Sequence, residues 1–406
     1  MNTLKFGNGE WYGKKDTILA YNDENSNYKP LPFNFSRASK ATVINKAGLI
    51  ETVGSGIPRI DYLGNTKGAL KLEPQRTNLI TKSENIQDWN KASNATAEFG
   101  YQDPFKGNKA VKLTSSSTAQ GYQVYQSTSA LSSGNTYTFS IYAKKGTSYI
   151  FRLDFGIPDN GFVHIDLRDG SLLQESGSTY YDGYKVEPMS NDWYRISIIS
   201  TFNSSAYYRA GLYQQQGDCY VAFAQIEQGS YPTSYIPTQG TIQTRLQDNI
   251  DTDFGTILPL SGEVSVYMEM LGQPVDGIAN AARITSVSFD DTDVNSSYVS
   301  LNFNGSYWRA RVQGASGSNF NSLEVDQSET IKALFVLRPT SYALYANGNL
   351  IGSETRSYNV TAPTISEIAK VEFDNSTSDR GITRNKDLRV YNTALSNAEA
   401  IALTQV

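Results

Sequence analysis

Residues Cys219 to Asp248 read CYVAFAQIEQGSYPTSYIPTQGTIQTRLQD and carry the strongest fold signal in the chain. This stretch begins with an apolar, strand-like run, Tyr220 to Ala224, and then changes to a turn-rich segment that contains Pro232 and Pro237. Because proline cannot donate a hydrogen bond to a strand ladder, the two prolines predict that regular pairing stops there. The stretch is therefore predicted to hold the last strand of one β-sandwich and the link to the next.

Short alternating runs fill the chain on both sides of this stretch. The side chains of Tyr137, Phe139, Ile141 and Ala143 share one face of a predicted strand, and Val264 to Met270 alternates as cleanly. We predict two half-buried strands here. The composition, with 27 tyrosines, 32 glycines and only 18% charged residues, is typical of exposed all-β sandwiches.

Turn and cap signals support the same fold class. Gly170 in the run Asp166 to Ser171 and the pair Asn347-Gly348 are hairpin signals, because these residue types tolerate positive φ. Ser396 and Glu399 form a predicted capping box, with Leu395 placed to staple the start of the one predicted helix.

The prediction is an all-β chain of two tandem antiparallel β-sandwiches (jelly rolls) preceded by an extended N-terminal attachment arm. Residues 1–78 are assigned to the arm because few of their apolar residues are spaced to close a core. Residues 79–240 form the first predicted sandwich, and residues 241–406 form the second.

Charge and composition exclude several function classes. The formal net charge is −5 and no run of Lys or Arg occurs, which argues against nucleic acid as a partner. The sequence contains no apolar segment of 18 residues, so we expect no membrane insertion. The start of the chain lacks the apolar core of a signal peptide, so we expect synthesis in a cytosol. The one cysteine, Cys219, excludes an intrachain disulfide and is predicted to be a buried core residue.

The Cys219 to Asp248 stretch resembles a segment that bacteriophage tail and head fibre or spike proteins place at the end of a carbohydrate-binding-type β-sandwich. The resemblance extends upstream to Phe35 to Thr42 (FSRASKAT) and Gly68 to Ile80 (GALKLEPQRTNLI), and it includes Met189 to Ile198 (MSNDWYRISI). Asn191-Asp192 stands there in place of the usual Asn-Gly. Farther on, Ser341 to Gly352 and Asp387 to Ala400 resemble concanavalin-A-like, laminin-G-like jelly rolls.

The resemblance implies a phage virion protein on the head or tail surface, assembled in the cytoplasm of the bacterial host. Its arm would bind other virion proteins, its sandwiches would bind host-surface glycans, and it would form a homo-oligomer, with a trimer favoured. Two alternatives stay open: a tail-associated polysaccharide depolymerase, and a purely architectural capsid-fibre protein.

Catalytic constellations are missing from the sequence. The sole histidine, His164, lies opposite an aliphatic strand face and is predicted to face solvent, so no Ser-His-Asp triad is expected. Four glutamates of the second sandwich lack the Glu-x-Asp-x-x-Glu arrangement of concanavalin-A-like glucanases; they are Glu263, Glu269, Glu324 and Glu372. We therefore predict that the protein is not an enzyme and holds no cofactor.

Aromatic residues near Gly, Asp and Asn are the candidate glycan-binding residues, because rings can stack on sugars; they are Tyr180, Tyr181, Tyr184, Tyr207, Tyr208, Tyr307 and Trp308. An ordinary structural role in a core or interface is the competing interpretation of each. Asp291, Asp293 and Asn295 could bind Ca²⁺ through alternate oxygens. They fail the EF-hand pattern, and a polar turn is the alternative.

Overall fold

A computed structural model describes most of the chain. The described residues are 3–9, 12–14, 16–22, 27–119, 121–128, 131–155, 161–176, 179–201, 206–251, 263–271, 283–288, 298–304, 307–313, 324–326, 329–338, 340–355, 370–372 and 383–406. Within them the chain is nearly all β, with antiparallel sheets forming sandwiches and one α-helix, as the sequence predicts.

The strands are numbered in chain order. The first nine are β1 (Thr3–Gly7), β2 (Tyr12–Lys14), β3 (Thr17–Asn22), β4 (Asn27–Ser36), β5 (Ala41–Ile44), β6 (Ile50–Val53), β7 (Arg59–Asp61), β8 (Ala69–Leu72) and β9 (Arg76–Asn78). The next thirteen are β10 (Asn90–Lys91), β11 (Ala95–Tyr101), β12 (Ala110–Ser115), β13 (Val124–Thr128), β14 (Thr136–Lys145), β15 (Ile150–Phe155), β16 (Gly161–Asp166), β17 (Leu172–Glu175), β18 (Tyr181–Pro188), β19 (Tyr194–Thr201), β20 (Ala206–Leu212), β21 (Gly217–Gln228) and β22 (Gln243–Arg245). The last are β23 (Asn249–Asp251), β24 (Val264–Met270), β25 (Arg283–Ser288), β26 (Tyr298–Asn304), β27 (Tyr307–Gln313), β28 (Glu324–Asp326), β29 (Ile331–Arg338), β30 (Ser341–Ala346), β31 (Asn349–Thr355), β32 (Lys370–Glu372) and β33 (Thr383–Tyr391), before helix α1 (Asn397–Thr404).

The chain divides into two compact units. Unit 1 contains residues 1–40, 53–74 and 246–406, and unit 2 contains residues 41–52 and 75–245. The predicted arm thus contributes segments to both units, and its strand β1 pairs antiparallel with β33 near the end of the chain. The boundaries at 78 and 240, and the attachment role of the arm, stay predictions.

Unit 2 contains a sandwich of two six-stranded antiparallel sheets. The front sheet has the order β10-β13-β20-β15-β16-β17, and the back sheet has the order β11-β12-β21-β14-β19-β18. Tyr137, Phe139, Ile141 and Ala143 lie in the shared hydrophobic core, which confirms the predicted face of β14. Cys219 is buried in the same core, as predicted, and burial raises the pKa of its thiol.

The central strand β14 is buried on both faces, so the prediction of a half-buried strand is wrong. The reason lies in the segment that follows β21. Tyr142, on the outer face of β14, meets the rings of Phe223 and Tyr235 at centroid distances of 6.2 and 6.4 Å. Aromatic residues of β21 and of the turn-rich segment therefore cover part of the outer face of the back sheet.

The turn-rich segment is fixed by buried polar contacts. The Glu227 carboxylate accepts hydrogen bonds from the backbone N–H of Thr233 at 2.8 Å and from its hydroxyl at 2.6 Å. Gln225 accepts from the backbone N–H of Ile236 at 2.7 Å, and Asn78 donates to the Ile236 carbonyl at 2.9 Å. Every one of these side chains is buried, which gives the segment a structural role in unit 2.

Unit 1 is built on a twelve-stranded sheet and a five-stranded sheet, β28-β27-β26-β25-β32. Strand β24 is also buried at every position, so the prediction that it is half-buried is wrong. The segment after β33 covers its polar side, where the Ser265 hydroxyl donates to the Thr393 carbonyl and accepts from the Leu395 backbone N–H. The hairpin between β30 and β31 is confirmed: Asn347 and Gly348 both have positive φ, 43° and 78°.

Helix α1 begins as the sequence predicts. Ser396 and Glu399 form the complete capping box, and Leu395 packs in one cluster with Ala400. In unit 2, Gly170 has φ of 79° in the turn after β16, also as predicted.

A network of fully buried charges lies inside unit 1. Arg37 donates to Asp248 at 2.8 Å, Arg59 donates to Glu73 at 2.6 Å, and Arg59 also pairs with Asp248. All four side chains are 0% exposed. These residues come from three separate stretches of sequence, so the network ties those stretches together.

Candidate functional site

The outer surface of the front sheet carries charged side chains at alternate positions. In β15, Phe151, Leu153 and Phe155 point into the core, and the intervening Arg152 and Asp154 lie on the opposite face. This placement follows from the strand period of two.

Antiparallel register gathers further residues around this pair. Arg209 on β20 and Phe162 on β16 flank Asp154 on its two sides, and His164 lies opposite Arg152. We call the outer surface of the front sheet around Arg152, Asp154 and Arg209 the arginine face.

Two guanidinium groups converge on one carboxylate oxygen of the arginine face. Asp154 Oδ2 lies 2.9 Å from Arg152 Nη2 and 2.7 Å from Arg209 Nη2. The Asp154 side chain is 1% exposed, whereas the Arg152 and Arg209 side chains are 17% and 15% exposed. Burial raises the pKa of Asp154, and the two arginines oppose that rise. The carboxylate thus holds both guanidinium groups at the surface.

Half-buried aromatic rings frame the guanidinium groups. The Arg152 guanidinium lies 4.6 Å from the Phe162 ring centroid and 5.6 Å from that of Tyr213. The Arg209 guanidinium lies 4.8 Å from the Tyr122 ring, which meets Tyr125 edge-on at 5.8 Å. Cation–π contacts of this kind hold planar groups in place, so the face combines flat rings with hydrogen-bond donors.

His164 belongs to this face but is buried, so the prediction that it faces solvent is wrong. Its ring is 3% exposed because it stacks on Tyr213 at 3.8 Å and on Phe162 at 5.0 Å. Burial, and then the charge of Arg152, lower the pKa of His164 to about 4, while a hydrogen bond with Gln174 opposes the shift. The ring is therefore neutral at pH 7.

A second ion pair lies on the neighbouring row of the same face. Arg168 binds both oxygens of Asp166 and lies 3.8 Å from the Tyr149 ring centroid. The arginine hydrogen bond holds the pKa of the Asp166 carboxyl below its usual value. On the first row, by contrast, the guanidinium groups of Arg152 and Arg209 share the single carboxylate of Asp154.

The predicted glycan-binding residues of unit 2 are spread over several surfaces. Tyr207 is 43% exposed and lies on the arginine face side of β20, two positions from Arg209. Tyr181 and Tyr184 lie on β18 at the edge of the back sheet, and Tyr180 directly precedes it. The Tyr181 hydroxyl donates to Glu175 at 2.8 Å, and Tyr184 is exposed.

Tyr208 requires a correction, since it lies inside the core. It is 5% exposed and packs edge-on against Trp89 at 5.0 Å and against Phe139 at 5.3 Å. Strand alternation places it on the face opposite to Tyr207, so it presents no ring to a ligand.

Tyr307 and Trp308 lie on β27 of the five-stranded sheet in unit 1, away in sequence and in sheet from the arginine face. The candidate calcium ligands Asp291, Asp293 and Asn295 lie outside the described residues. In the described part of the chain no group of three or more His, Cys, Asp or Glu side chains is placed to hold a metal ion.

Two of the four candidate glutamates have described side chains. Glu269 is buried and pairs with Lys386 at 2.6 Å, and Glu263 accepts from the Ala394 backbone at 3.3 Å. Both glutamates make structural contacts.

No helix among the described residues is long and apolar enough to cross a membrane.

The charged residues of the arginine face were missed in the sequence, although a signal exists. Arg152 and Asp154 alternate with Phe151, Leu153 and Phe155 in a strand that is otherwise apolar, and Arg209 alternates with Tyr208 and Ala210. Alternation shows that these charges share a face with one another, but only the strand register shows which strands are neighbours.

Comparison with known proteins gives likenesses of fold only. No protein-family model matches the chain, and no curated protein matches it. Among solved structures, the chain is similar to the CBM40 module of the Ruminococcus gnavus IT-sialidase bound to α2,3-sialyllactose (15% identity, 38% of this chain and 92% of that chain, TM-score 0.28). It is also similar to domain 4 of AbnA, a GH43 extracellular arabinanase from Geobacillus stearothermophilus, in complex with arabinotriose (18% identity, 43% and 82%, TM-score 0.30), and to a SAP-like pentraxin from Limulus polyphemus (17% identity, 36% and 70%, TM-score 0.25). Since the TM-scores of these three structures lie below 0.5, the function of this chain rests on its own residues.

Proposed function

We propose that the protein is a glycan-binding β-sandwich protein and that the arginine face of unit 2 is its binding surface. The observation that carries the proposal is the set of half-buried rings, Tyr122, Tyr125, Phe162 and Tyr213, around two surface guanidinium groups. Small-molecule sites combine apolar or aromatic surface with a few fixed polar groups in this way.

The two outer faces of the sandwich differ in a manner that favours this assignment. Phe223 and Tyr235 cover part of the back sheet, where Tyr142 is 3% exposed. On the front sheet the Tyr122 and Tyr213 rings keep part of their surface accessible. A ring with one accessible side can stack on the apolar face of a sugar, while guanidinium N–H groups donate to its hydroxyls.

Binding without cleavage is part of the proposal. The two carboxylates of the arginine face, Asp154 and Asp166, are both ion-paired with arginine. A glycosidase needs one carboxylic acid and one free carboxylate flanking the scissile bond. The pairing on this face supports a binding role over an acid–base role.

Glycan-array binding by the purified full chain tests the proposal. We expect binding to at least one glycan class and about a tenfold loss of affinity for Tyr213→Ala and Tyr122→Ala, since each removes one ring worth about 1 kcal/mol or more of contact. Phe99→Ala is the matched control, because Phe99 is an exposed aromatic residue on β11 of the back sheet and is no candidate for binding. Unchanged binding in both ring variants, with an unchanged melting temperature, would contradict the assignment of the site.

The biological setting is a separate proposal that rests on the motif resemblance alone. We infer that the protein is a fibre or decoration protein on a phage virion, attached to other virion proteins through its N-terminal segment and assembled as a symmetric oligomer. Immunogold labelling of intact particles tests the setting, and light scattering of the purified protein gives the number of copies. Absence of label from particles would overturn the virion role and leave the glycan site untouched.

A further inference from the structure

We propose that the arginine face selects a saccharide that bears a carboxylate, with Arg152 and Arg209 as the groups that bind the anion. This inference rests on the proposed function, because it names the chemical class of glycan that the same surface takes.

Several guanidinium donors on the face make no hydrogen bond to another residue that the structure describes. Arg152 gives its Nε and Nη2 to Asp154 Oδ2, at 3.0 and 2.9 Å, and Arg209 gives its Nη2 to the same oxygen. Within the described residues, Arg152 Nη1 and Arg209 Nε and Nη1 have no hydrogen-bonded partner. A planar fork with free donors matches a carboxylate far better than a neutral hydroxyl.

Local charge favours an anion at this place. Asp154 neutralises only one of the two guanidinium groups that it holds, and Arg168 and Asp166 neutralise each other. The neutral His164 adds no charge at pH 7. The shared carboxylate therefore leaves these two guanidinium groups with a local excess of positive charge on a protein whose net charge is −5.

The backbone at Gly121 packs closely against the arginine face. A side-chain carbon added at Gly121 would lie 3.2 Å from the Tyr213 ring and 3.5 Å from Arg152 Nη1. Glycine at this position therefore keeps a side chain away from the guanidinium group and from the ring beside it.

Matched pairs of saccharides test the inference. The probes are oligosaccharides containing hexuronic acid or sialic acid, each paired with its carboxyl-reduced form, in which every carboxylate is a primary alcohol. Calorimetric titration of the full chain measures both dissociation constants. We expect at least one acidic probe to bind about tenfold or more tightly than its reduced form, and the difference to shrink as salt rises.

Charge variants locate the effect. Arg209→Gln should lose about tenfold in affinity for the acidic probe and little for the reduced one, and Arg209→Lys should keep part of the preference. Lys185→Gln is the control, because it removes one positive charge from β18 of the back sheet and should change neither constant. An equal loss in Lys185→Gln would assign the preference to net charge and overturn the site.

The outcomes separate the two proposals. Equal binding of acidic and reduced probes, lost in Tyr213→Ala and kept in Arg209→Gln, would overturn the acidic specificity and support the glycan site. No binding of any acidic or reduced probe would overturn the acidic specificity, and no binding to any glycan on the array would overturn the glycan site as well.

Discussion

At the scale of single residues, His164 shows how packing sets chemistry. It is the only histidine in the chain, and its ring is buried between Tyr213 and Phe162 beside the charge of Arg152. Burial and the neighbouring guanidinium both disfavour the charged imidazolium. The residue therefore helps to pack the arginine face and acts there as a neutral aromatic ring.

Stability should fall in acid because of this residue. The pKa of His164 is lowered to about 4 from 6.5, so between these values the unfolded chain binds a proton that the folded chain does not. Its contribution is fully present above pH 6.5 and is lost as the pH falls toward 4, by up to about 3 kcal/mol. In His164→Phe, which keeps a ring in the stack, the pH dependence between 6.5 and 5 should flatten.

Urea unfolding of both proteins at pH 5, 5.5, 6 and 7 measures this difference. The ring signals of the single histidine in NMR give its pKa directly, without overlap from other histidines. A titration midpoint near 6.5 in the folded protein would show that the His164 ring is solvated and is not stacked between Tyr213 and Phe162.

Among the secondary-structure elements, those features that depend only on residues close in sequence were predicted correctly. The Asn347-Gly348 hairpin, the Ser396 to Glu399 capping box and the core face of β14 are confirmed, since each is decided within a few residues. The exposure of β14, β24 and His164 was predicted wrongly. Alternation shows that two faces differ, but coverage of the polar face depends on distant segments such as Thr233 to Thr238.

The arginine face could not be assembled from sequence for the same reason. Arg152 and His164 lie on the consecutive strands β15 and β16, but Arg209 lies on β20, farther along the chain, and the pairing of β15 with β20 makes it their neighbour. The predicted tyrosines were chosen for residue type. Of these, Tyr207 lies on the side of the front sheet that forms the face.

The turn-rich segment after β21 should depend strongly on Glu227. This carboxylate is 0% exposed and accepts from Gln225, from the Thr233 backbone and from the Thr233 hydroxyl. Glu227→Ala leaves buried donors without an acceptor, which costs about 3 kcal/mol of unfolding free energy. Chemical denaturation measures the loss.

Glu98→Ala provides the comparison for that variant. Glu98 is exposed on the edge strand β11, where its carboxylate accepts a hydrogen bond from the Tyr101 hydroxyl at 3.0 Å, and its removal should change stability by less than about 0.5 kcal/mol. If Glu227→Ala and Glu98→Ala lowered the free energy of unfolding equally, the buried contacts of Glu227 would not stabilise the turn-rich segment.

At the scale of the whole molecule, the chain alternates between its two compact units. Residues 41–52 belong to unit 2, although the segments on both sides of them, 1–40 and 53–74, belong to unit 1. The motifs quoted for the family resemblance supply three of the four charges of the buried network, with Arg37 in Phe35 to Thr42, Glu73 in Gly68 to Ile80 and Asp248 at the end of the Cys219 to Asp248 stretch. Their residue types are therefore explained by folding, and the binding function is assigned to a surface outside them.

Asp248→Asn tests whether this network stabilises unit 1 in particular. Asp248 neutralises Arg37 and Arg59 while all three side chains are fully buried. Removal of one partner from a buried ion network costs about 3 kcal/mol or more, because an uncompensated charge stays inside. Hydrogen exchange should therefore speed up by roughly a hundredfold in β24 of unit 1 and stay near wild type in β14 of unit 2.

Asp16→Asn is the control within unit 1, since Asp16 is exposed and its φ of 61° is one that asparagine tolerates. Equal acceleration in β14 and β24 would show that the two units unfold as one, and no acceleration in β24 would show that the network contributes no net stability.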